Sequence, residues 1–364
     1  MSRIAIVGGG VAGLATAYAL RGTDAEVTVF ERRESVGGRA ATRSRAECVY
    51  DTGANYAKGA KDSDGQDGDE SDGRVTDDRV SELLSGELAD GLVDIEEPVW
   101  TFDADGNLSE GRDDDSPKWT YQEGLVALAA QLREASDATV RTRTEVVGID
   151  RREARNGDRE DDEWRVDVRG GETVADALVF TPPAPVTAYL LDRSAWDAPL
   201  CDDLREAAAA VPYRTLLSVA LHYPYREALP YYALVNSDKD HDIGWIGREE
   251  CKPGHVPDGE SLLVVQPSPD WSREHYDDPD DQIAVNAADR TAELLGDPDR
   301  YQFDWAEVVR WRDALPDAGA DREVLARGAD ADLFFAGDWV VGEGRVHAAL
   351  RSGLETGERV AEWL

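Results

Sequence analysis

The stretch Ile4-Ala5-Ile6-Val7-Gly8-Gly9-Gly10-Val11-Ala12-Gly13 decides the fold. Ile4–Val7 is a short run rich in β-branched residues, and Val11–Leu20 has helical spacing with good helix formers. Arg21–Ala25 reads as a turn and Val27–Phe30 as a second strand, which makes a βαβ unit with a parallel sheet. Gly8, Gly10 and Gly13 fit the pattern G-x-G-x-x-G. At this spacing the first glycine lets the strand turn sharply, the second lets a pyrophosphate approach the backbone, and the third lets the helix pack on the sheet. The helix N-terminus at Val11 and Ala12 then offers free N–H groups and a positive dipole end to phosphates. Glu31 ends the next strand eighteen residues after Gly13, where a carboxylate can accept both hydroxyls of an adenine ribose.

Those features leave NAD or FAD, and the next segment separates them. Arg32 follows the ribose acid, and Gly37-Gly38-Arg39-Ala40-Ala41-Thr42 comes soon after. A second glycine pair adds backbone N–H groups, Arg39 adds a guanidinium, and the Thr42 hydroxyl can reach a phosphate. A long, twice-anchored dinucleotide such as FAD uses these; plain NAD sites stop at the acid.

Composition bounds the rest. The chain has 364 residues, which suggests two packed units. Its 76 acidic and 39 basic residues give a net charge of −37, which excludes electrostatically driven binding to nucleic acid or anionic lipid. Such acidity often means disorder. Apolar runs from Ile4–Val7 to Leu333–Ala336 and ten Trp argue instead for a folded protein with its acid outside. Asp outnumbers Glu, 46 to 30, and Arg outnumbers Lys, 34 to 5. This is the surface of a salt-adapted protein, because at molar salt the Debye length is only ~3 Å and self-repulsion is screened.

Cys48, Cys201 and Cys251 have no paired or CxxC spacing, so neither a disulfide framework nor a metal site is expected. No apolar stretch approaches the ~20 residues of a membrane span. The N-terminal apolar residues break into glycines too soon for a signal peptide, so a reduced, cytoplasmic setting is expected. The five His (His222, His241, His255, His275, His347) show no ligand or triad spacing and read as structural. Residues 61–78 read as an acidic surface loop whose spacing does not meet the calcium-loop pattern, and Asp103–Asp115 as a second acidic loop.

Further along, Tyr121–Ser136 reads as a helix, 139–150, 164–169 and 177–181 as strands, and 151–163 as a polar hairpin. Thr181-Pro182-Pro183-Ala184-Pro185 reads as a crossing between domains. A strand at Leu333–Ala336, a turn over Gly337–Gly344 and a helix from Val346 to Trp363 close the chain. That helix aims its positive end at whatever lies before Arg345 and Val346. The expected fold is α/β, with an α+β second part. A Rossmann-type FAD-binding domain (1–60, 119–185 and 311–364) is interleaved with a mixed-sheet substrate domain (79–118 and 186–310).

The combination GGGVAGLATAYAL, ERRESVGGRAAT and YDTGANY resembles the flavin-containing amine oxidase superfamily, which includes monoamine oxidases, phytoene desaturases and protoporphyrinogen oxidases. Asp51–Tyr56, Lys252-Pro253-Gly254, Trp271–His275, Val309–Arg312 with Ala314 and Pro316, and Phe335–Trp339 resemble its renalase group. The resemblance implies that Gly8, Gly10, Val11, Ala12 and Gly13 hold the pyrophosphate, and Glu31 and Arg32 the adenosine ribose. Gly38, Arg39 and Thr42 would form a second phosphate layer. Gly53, Ala54, Asn55 and Tyr56 would pass beside the isoalloxazine, and Val146 would meet the adenine. Gly337 and Asp338 would contact the phosphate–ribitol stretch, and the N–H groups near Arg345 and Val346 the flavin pyrimidine. His347 stands where the family usually has an acid.

The last Cys, Cys251, comes well before the C-terminal segment 311–364, so FAD bound noncovalently is expected. The implied activity is an oxidase that takes a hydride from a small molecule to flavin N5, with O2 as the acceptor and H2O2 as product. The renalase-like segments imply an aberrant dihydronicotinamide isomer of NAD(P)H as substrate. Trp271 and Trp311 are candidate substrate walls or core anchors, and Arg214, Arg226 or Arg248 candidates to meet substrate phosphates. Flavin N5 is the reactive centre, so no side-chain base is required. An amine oxidase, a carotenoid or porphyrinogen-type dehydrogenase, and a flavin-binding protein without turnover remain as alternatives. Oligomeric state is left open.

Overall fold

A computed structural model describes residues 1–59, 77–111, 116–152, 162–196, 198–296 and 298–364. The strand Arg3–Val7 runs parallel to Glu26–Phe30 on one side and Ala177–Phe180 on the other. Thr139–Arg141 and Leu333–Phe335 add the outer strands of a five-stranded sheet. An all-parallel sheet is buried on both faces, which is why its strands read as unbroken apolar runs. Ile4, Ile6, Val27, Val29 and Val179 pack towards the helices Val11–Ala19 and Val346–Trp363. Ala5, Val7, Phe30, Leu178 and Phe180 pack the other way, against Trp164, Leu190 and Leu204.

A second sheet has seven strands, in the order Trp305–Pro316, Tyr213–Tyr223, Ser261–Pro267, Ile243–Arg248, Ala233–Asn236, Val99–Phe102 and Leu108–Ser109. All neighbours are antiparallel except Ala233–Asn236 with Val99–Phe102. Side chains alternate across it. Leu217, Val219, Leu221, Ile246 and Leu263 face the helix Asp280–Leu295. Ala220, Leu262 and Val264 face a hairpin of Thr42–Arg45 and Cys48–Asp51 that comes from the nucleotide side of the molecule.

Several elements differ from expectation. The expected helix at Tyr121–Ser136 starts later, at Val126, because Tyr121 ends the strand Lys118–Tyr121 and Gly124 turns the chain at φ +81°. The single strand expected over 139–150 is two strands in two sheets, Thr139–Arg141 and Val146–Arg152, with Arg143 at φ +54° between them. After Thr181–Pro185 the chain does not cross over. The helices Ala184–Asp192 and Pro199–Ala209 bury Leu190, Leu191 and Leu204 against the parallel sheet, so the crossing falls after Ala209. Trp305–Pro316 runs unbroken through the boundary expected at 311. Val80 and Leu84 of the helix Asp77–Ser85 pack beside Val11 and Leu14 on the nucleotide side, not with the seven-stranded sheet. The acidic loop of 61–78 lies outside the described residues up to 76, as do 112–115 of the second loop and 153–161 of the polar hairpin.

Candidate functional site

The glycine turn sits at the carboxyl ends of the parallel strands. Gly8 has φ +102°, a conformation that favours glycine, and its N–H donates to the Phe30 carbonyl at 2.8 Å. A Cβ on Gly13 would lie 2.1 Å from the Gly8 carbonyl oxygen, so that glycine is demanded by packing. Gly10 is different: a Cβ there would meet nothing nearer than the Gly38 Cα, at 3.9 Å. The protein does not itself need glycine at this place. Gly10 bridges Gly37, and the Gly37 N–H donates to the Gly9 carbonyl at 2.9 Å, so two glycine turns form one floor. The helix begins at Val11 with no side-chain cap, leaving its first N–H groups for a ligand.

Glu31 is 6% exposed, and its oxygens accept from the Gly9 N–H at 2.9 Å and the Arg33 N–H at 2.8 Å. Each oxygen keeps a lone pair for a ribose hydroxyl. Arg32 is exposed beside it. Val146 opens its strand at a bulge against Val168.

Two residues expected to meet phosphate are already engaged. The Arg39 guanidinium donates to both Asp338 oxygens, each at 2.8 Å, and to the Ala314 carbonyl at 3.1 Å. The pair ties the second glycine turn to the turn before the C-terminal helix. The Thr42 hydroxyl donates to Asp51 at 2.6 Å and accepts from the Val126 N–H at 3.1 Å. Asp338 lies 299 positions from Arg39, and Asp51, nine positions from Thr42, meets it only because the two strands of a hairpin pair, which is why the sequence suggested free groups.

The segment after Asp51 runs between the two halves. A Cβ on Gly53 would lie 2.0 Å from the Arg39 carbonyl oxygen, and the Gly53 carbonyl accepts from Gln266 Nε2 at 3.0 Å. The Ala54 N–H donates to the Arg39 carbonyl at 3.0 Å, and Asn55 Oδ1 is buried with no partner among the described residues. Tyr56 stands edge-on to Tyr232 at 6.2 Å and 6.3 Å from Trp245 between ring centres. Ala54 and Ala57 share a cluster with Val346, so the uncapped N-terminus of the C-terminal helix reaches the same place. Gly337 precedes it at φ +142°, its N–H donating to Ser352 Oγ at 3.0 Å. Arg345 is exposed and holds only the Gly344 carbonyl. His347 is mostly buried against Glu343; burial pushes its pKa down despite that acid, which opposes a cationic role.

Behind Asp51 lies a buried charge network that sequence reasoning missed. Lys252 Nζ reaches Asp51 at 2.9 Å and Glu249 at 2.8 Å. His255 donates from Nδ1 to Glu249 at 2.9 Å and from Nε2 to the Tyr121 carbonyl at 2.8 Å. Lys252 and His255 thus meet the Asp51 and Glu249 carboxylates in one buried cluster. Burial alone would raise the Asp51 carboxyl, but Lys252 and His255 hold it below the usual range. This quartet fixes the start of the Gly53–Tyr56 segment.

The substrate candidates divide. Trp311 donates from Nε1 to the Thr52 carbonyl at 2.7 Å and packs behind Gly53 as a core anchor. Trp271 lies under the face of the seven-stranded sheet that carries Leu217 and Leu263, beside Ile283 of the helix Asp280–Leu295 and opposite the face of Ala220 and Leu262, so it is core and not a substrate wall. Arg248 is buried and spends its guanidinium on Glu250 and the carbonyls of Glu227, Leu229 and Tyr231, which removes it as a phosphate ligand. Arg214 pairs with Asp317, while Arg226 is exposed. Tyr232, Trp245 and Gln266 were not anticipated; alternation in the strands of Trp245 and Gln266 was the available signal, and Tyr232 stands just before the strand Ala233–Asn236.

Residues 72–361 match the family described as flavin containing amine oxidoreductase, and residues 6–65 match the NAD(P)-binding Rossmann-like domain. Polyamine oxidase 4 of Oryza sativa subsp. japonica is 43% identical over 56 residues, 15% of this chain and 12% of that protein's length. Two solved structures share the fold along essentially the whole chain. A protoporphyrinogen oxidase-like protein from Exiguobacterium sp. 255-15 has a TM-score of 0.76 at 15% identity, covering 100% of this chain and 99% of its own. Cyclohexylamine oxidase from Brevibacterium oxydans IH-35A has a TM-score of 0.73 at 13% identity, with the same coverage. No helix among the described residues is long and apolar enough to cross a membrane.

Proposed function

The chain belongs to the flavin-containing amine oxidoreductase family, and from that premise we propose that it is an oxidase of a small planar hydride donor. Its cofactor is FAD. Bound FAD would supply a hydride acceptor at N5, whose electron pair would go with two protons to O2 to give H2O2. The residues present fit this group on two counts. The space above Gly10 is open although the protein has no packing need for it, and Asn55 Oδ1 is a buried acceptor without a partner.

Each residue then has a task. The N–H groups from Gly10 to Gly13, with that of Gly38, hold the pyrophosphate, those of Gly8, Gly9 and Gly37 keep the two turns in shape, and Glu31 accepts the ribose hydroxyls. The Arg39–Asp338 pair closes the two turns on each other. The uncapped helix end at Val346 stabilises negative charge near the flavin pyrimidine. Tyr56 and Trp245, both partly exposed, exclude water and offer an aromatic wall to the donor, with the fully buried Tyr232 packed edge-on behind them. All three Cys are buried in the protein, in accord with FAD held noncovalently.

The observation that carries the reading is the convergence of Gly53–Tyr56, the helix end at Val346 and the aromatic trio at one place. The renalase-like segments favour a dihydronicotinamide isomer carrying its hydride at C2 or C6. The fold shared with cyclohexylamine oxidase supports a second reading, a simple amine. Anaerobic mixing of the yellow protein with dihydronicotinamide isomers, NADH and benzylamine separates them. Rapid bleaching by the isomers and slow bleaching by NADH is expected, since a misplacement of ~1 Å can cost about 100-fold in rate. Bleaching by benzylamine alone would move the substrate to amines. No bleaching by any donor would favour a flavin-binding protein without turnover.

A further inference from the structure

Away from the nucleotide cleft, three potential ligands from distant parts of the chain meet where the Thr42–Arg45/Cys48–Asp51 hairpin lies on the seven-stranded sheet. Cys48 comes from the hairpin, His222 from Tyr213–Tyr223, and Glu260 from the turn before Ser261–Pro267. One ligand atom from each lies within 4.8 Å of the other two. His222 Nε2 is 2.9 Å from the Glu260 carboxylate.

We propose that Cys48, His222 and Glu260 bind one divalent transition-metal ion of the zinc or cobalt kind, clasping the hairpin to the sheet.

Four observations carry this. The donor set of one sulfur, one imidazole nitrogen and one carboxylate oxygen suits a borderline ion and not magnesium or calcium. Cys48 is fully buried and His222 is 5% exposed, whereas the Glu260 side chain is 35% exposed, so an ion has a way in and a water can complete the shell. His222 Nδ1 is buried with no hydrogen-bond partner, and its nearest acid is Asp304, 3.6 Å away. An Nδ1–H turned to that acid leaves Nε2 bare for an ion, which is the way a carboxylate commonly orients a metal-binding histidine. The ring is also held flat on Trp305, at 5.1 Å and an interplanar angle of 6°. Finally, a thiolate and a carboxylate together neutralise a divalent ion, so the buried site carries no net charge.

Burial, with Glu260 and Glu47 adding to it, pushes the Cys48 thiol up to about 11. Without an ion the sulfur therefore keeps its proton. Binding replaces the S–H bond by a sulfur–metal bond and releases that proton to solvent, with no change of oxidation state. The linear spacing hides the site, because the ligands sit at positions 48, 222 and 260.

The test uses the flavin-loaded chain in molar KCl, stripped with a chelator and dialysed against ZnCl2 with excess MgCl2. Metal content is read by mass spectrometry. One zinc per chain is expected, undiminished by the magnesium. Cys48→Ser and His222→Gln should abolish uptake, and Asp304→Asn should weaken it by roughly 10–100-fold. Glu260→Gln, at a partly exposed position that leaves folding intact, should weaken zinc binding by more than tenfold without altering flavin reduction. It keeps the test alive where Cys48→Ser does not fold. Absence of zinc in the parent chain, or full uptake by both Glu260→Gln and Asp304→Asn, would overturn the proposal.

Discussion

At the scale of single residues, the side chains do more holding of the protein than their sequence context suggested. Glu31 is expected to bind ribose, yet it also caps the Gly9 and Arg33 N–H groups. Glu31→Ala should therefore weaken FAD binding by about 1–3 kcal/mol and also lower thermal stability, since two backbone donors lose their acceptor. Equilibrium dialysis and a melting curve read the two effects separately; a weaker affinity with an unmoved melting temperature would show that the caps contribute nothing. Lys252→Met should cost about 3–5 kcal/mol, because it strands the Asp51 and Glu249 carboxylates in the interior. A denaturation midpoint within error of the parent would contradict that. His347 supplies a pH signature. Burial lowers its pKa in the folded chain, so the unfolded chain takes up this proton first as acid is added. Stability is whole above the ordinary histidine value of about 6.5 and is lost as pH falls through it. The parent should lose more stability between about pH 8 and 5.5 than His347→Gln does; parallel losses would mean the ring is not burdened by burial.

Among elements, the glycine turn separates what the fold needs from what the ligand needs. Gly13→Ala drives a methyl into the Gly8 carbonyl, whereas Gly10→Ala places one in space the protein leaves open. Gly10→Ala should keep the parent's circular dichroism in molar salt yet lose most of its flavin, and Gly13→Ala should damage both. Full flavin content in Gly10→Ala would show that the cofactor does not approach there. This turn was legible because its causes are local: strand, glycines, helix and acid follow within about thirty residues. The helix Val346–Trp363 was legible for the same reason, its apolar positions recurring at helical spacing. The Arg39–Asp338 pair, spanning 299 positions, and the Lys252–Asp51 pair, spanning 201, were not. A charge looks the same in sequence whether it awaits a phosphate or is already paired. Trp271 misled in a related way, since a tryptophan carries no mark of which face of a sheet it will cover.

For the whole molecule, the charge of −37 sets the conditions of folding. Many acids are paired with arginine at the surface, as in Arg3 with Asp176, Arg79 with Glu358 and Arg327 with Asp203, but most of the excess has no cation to meet it. Raising KCl from about 0.1 M to about 2 M should raise the melting temperature and flavin retention together, because the Debye length shrinks from ~10 Å to under ~3 Å. A flat melting temperature across that range would remove the case for salt adaptation. The threading of the parallel sheet bears on how such a chain is made. The strand Arg3–Val7 waits for Ala177–Phe180, and the sheet is closed by Leu333–Phe335 and the helix Val346–Trp363. On the ribosome, the first strand and its glycine turn emerge long before the walls of their pocket. In the proposed reading cofactor loading follows release of the helix Val346–Trp363, and until then the growing chain's own negative charge is what keeps it from its neighbours.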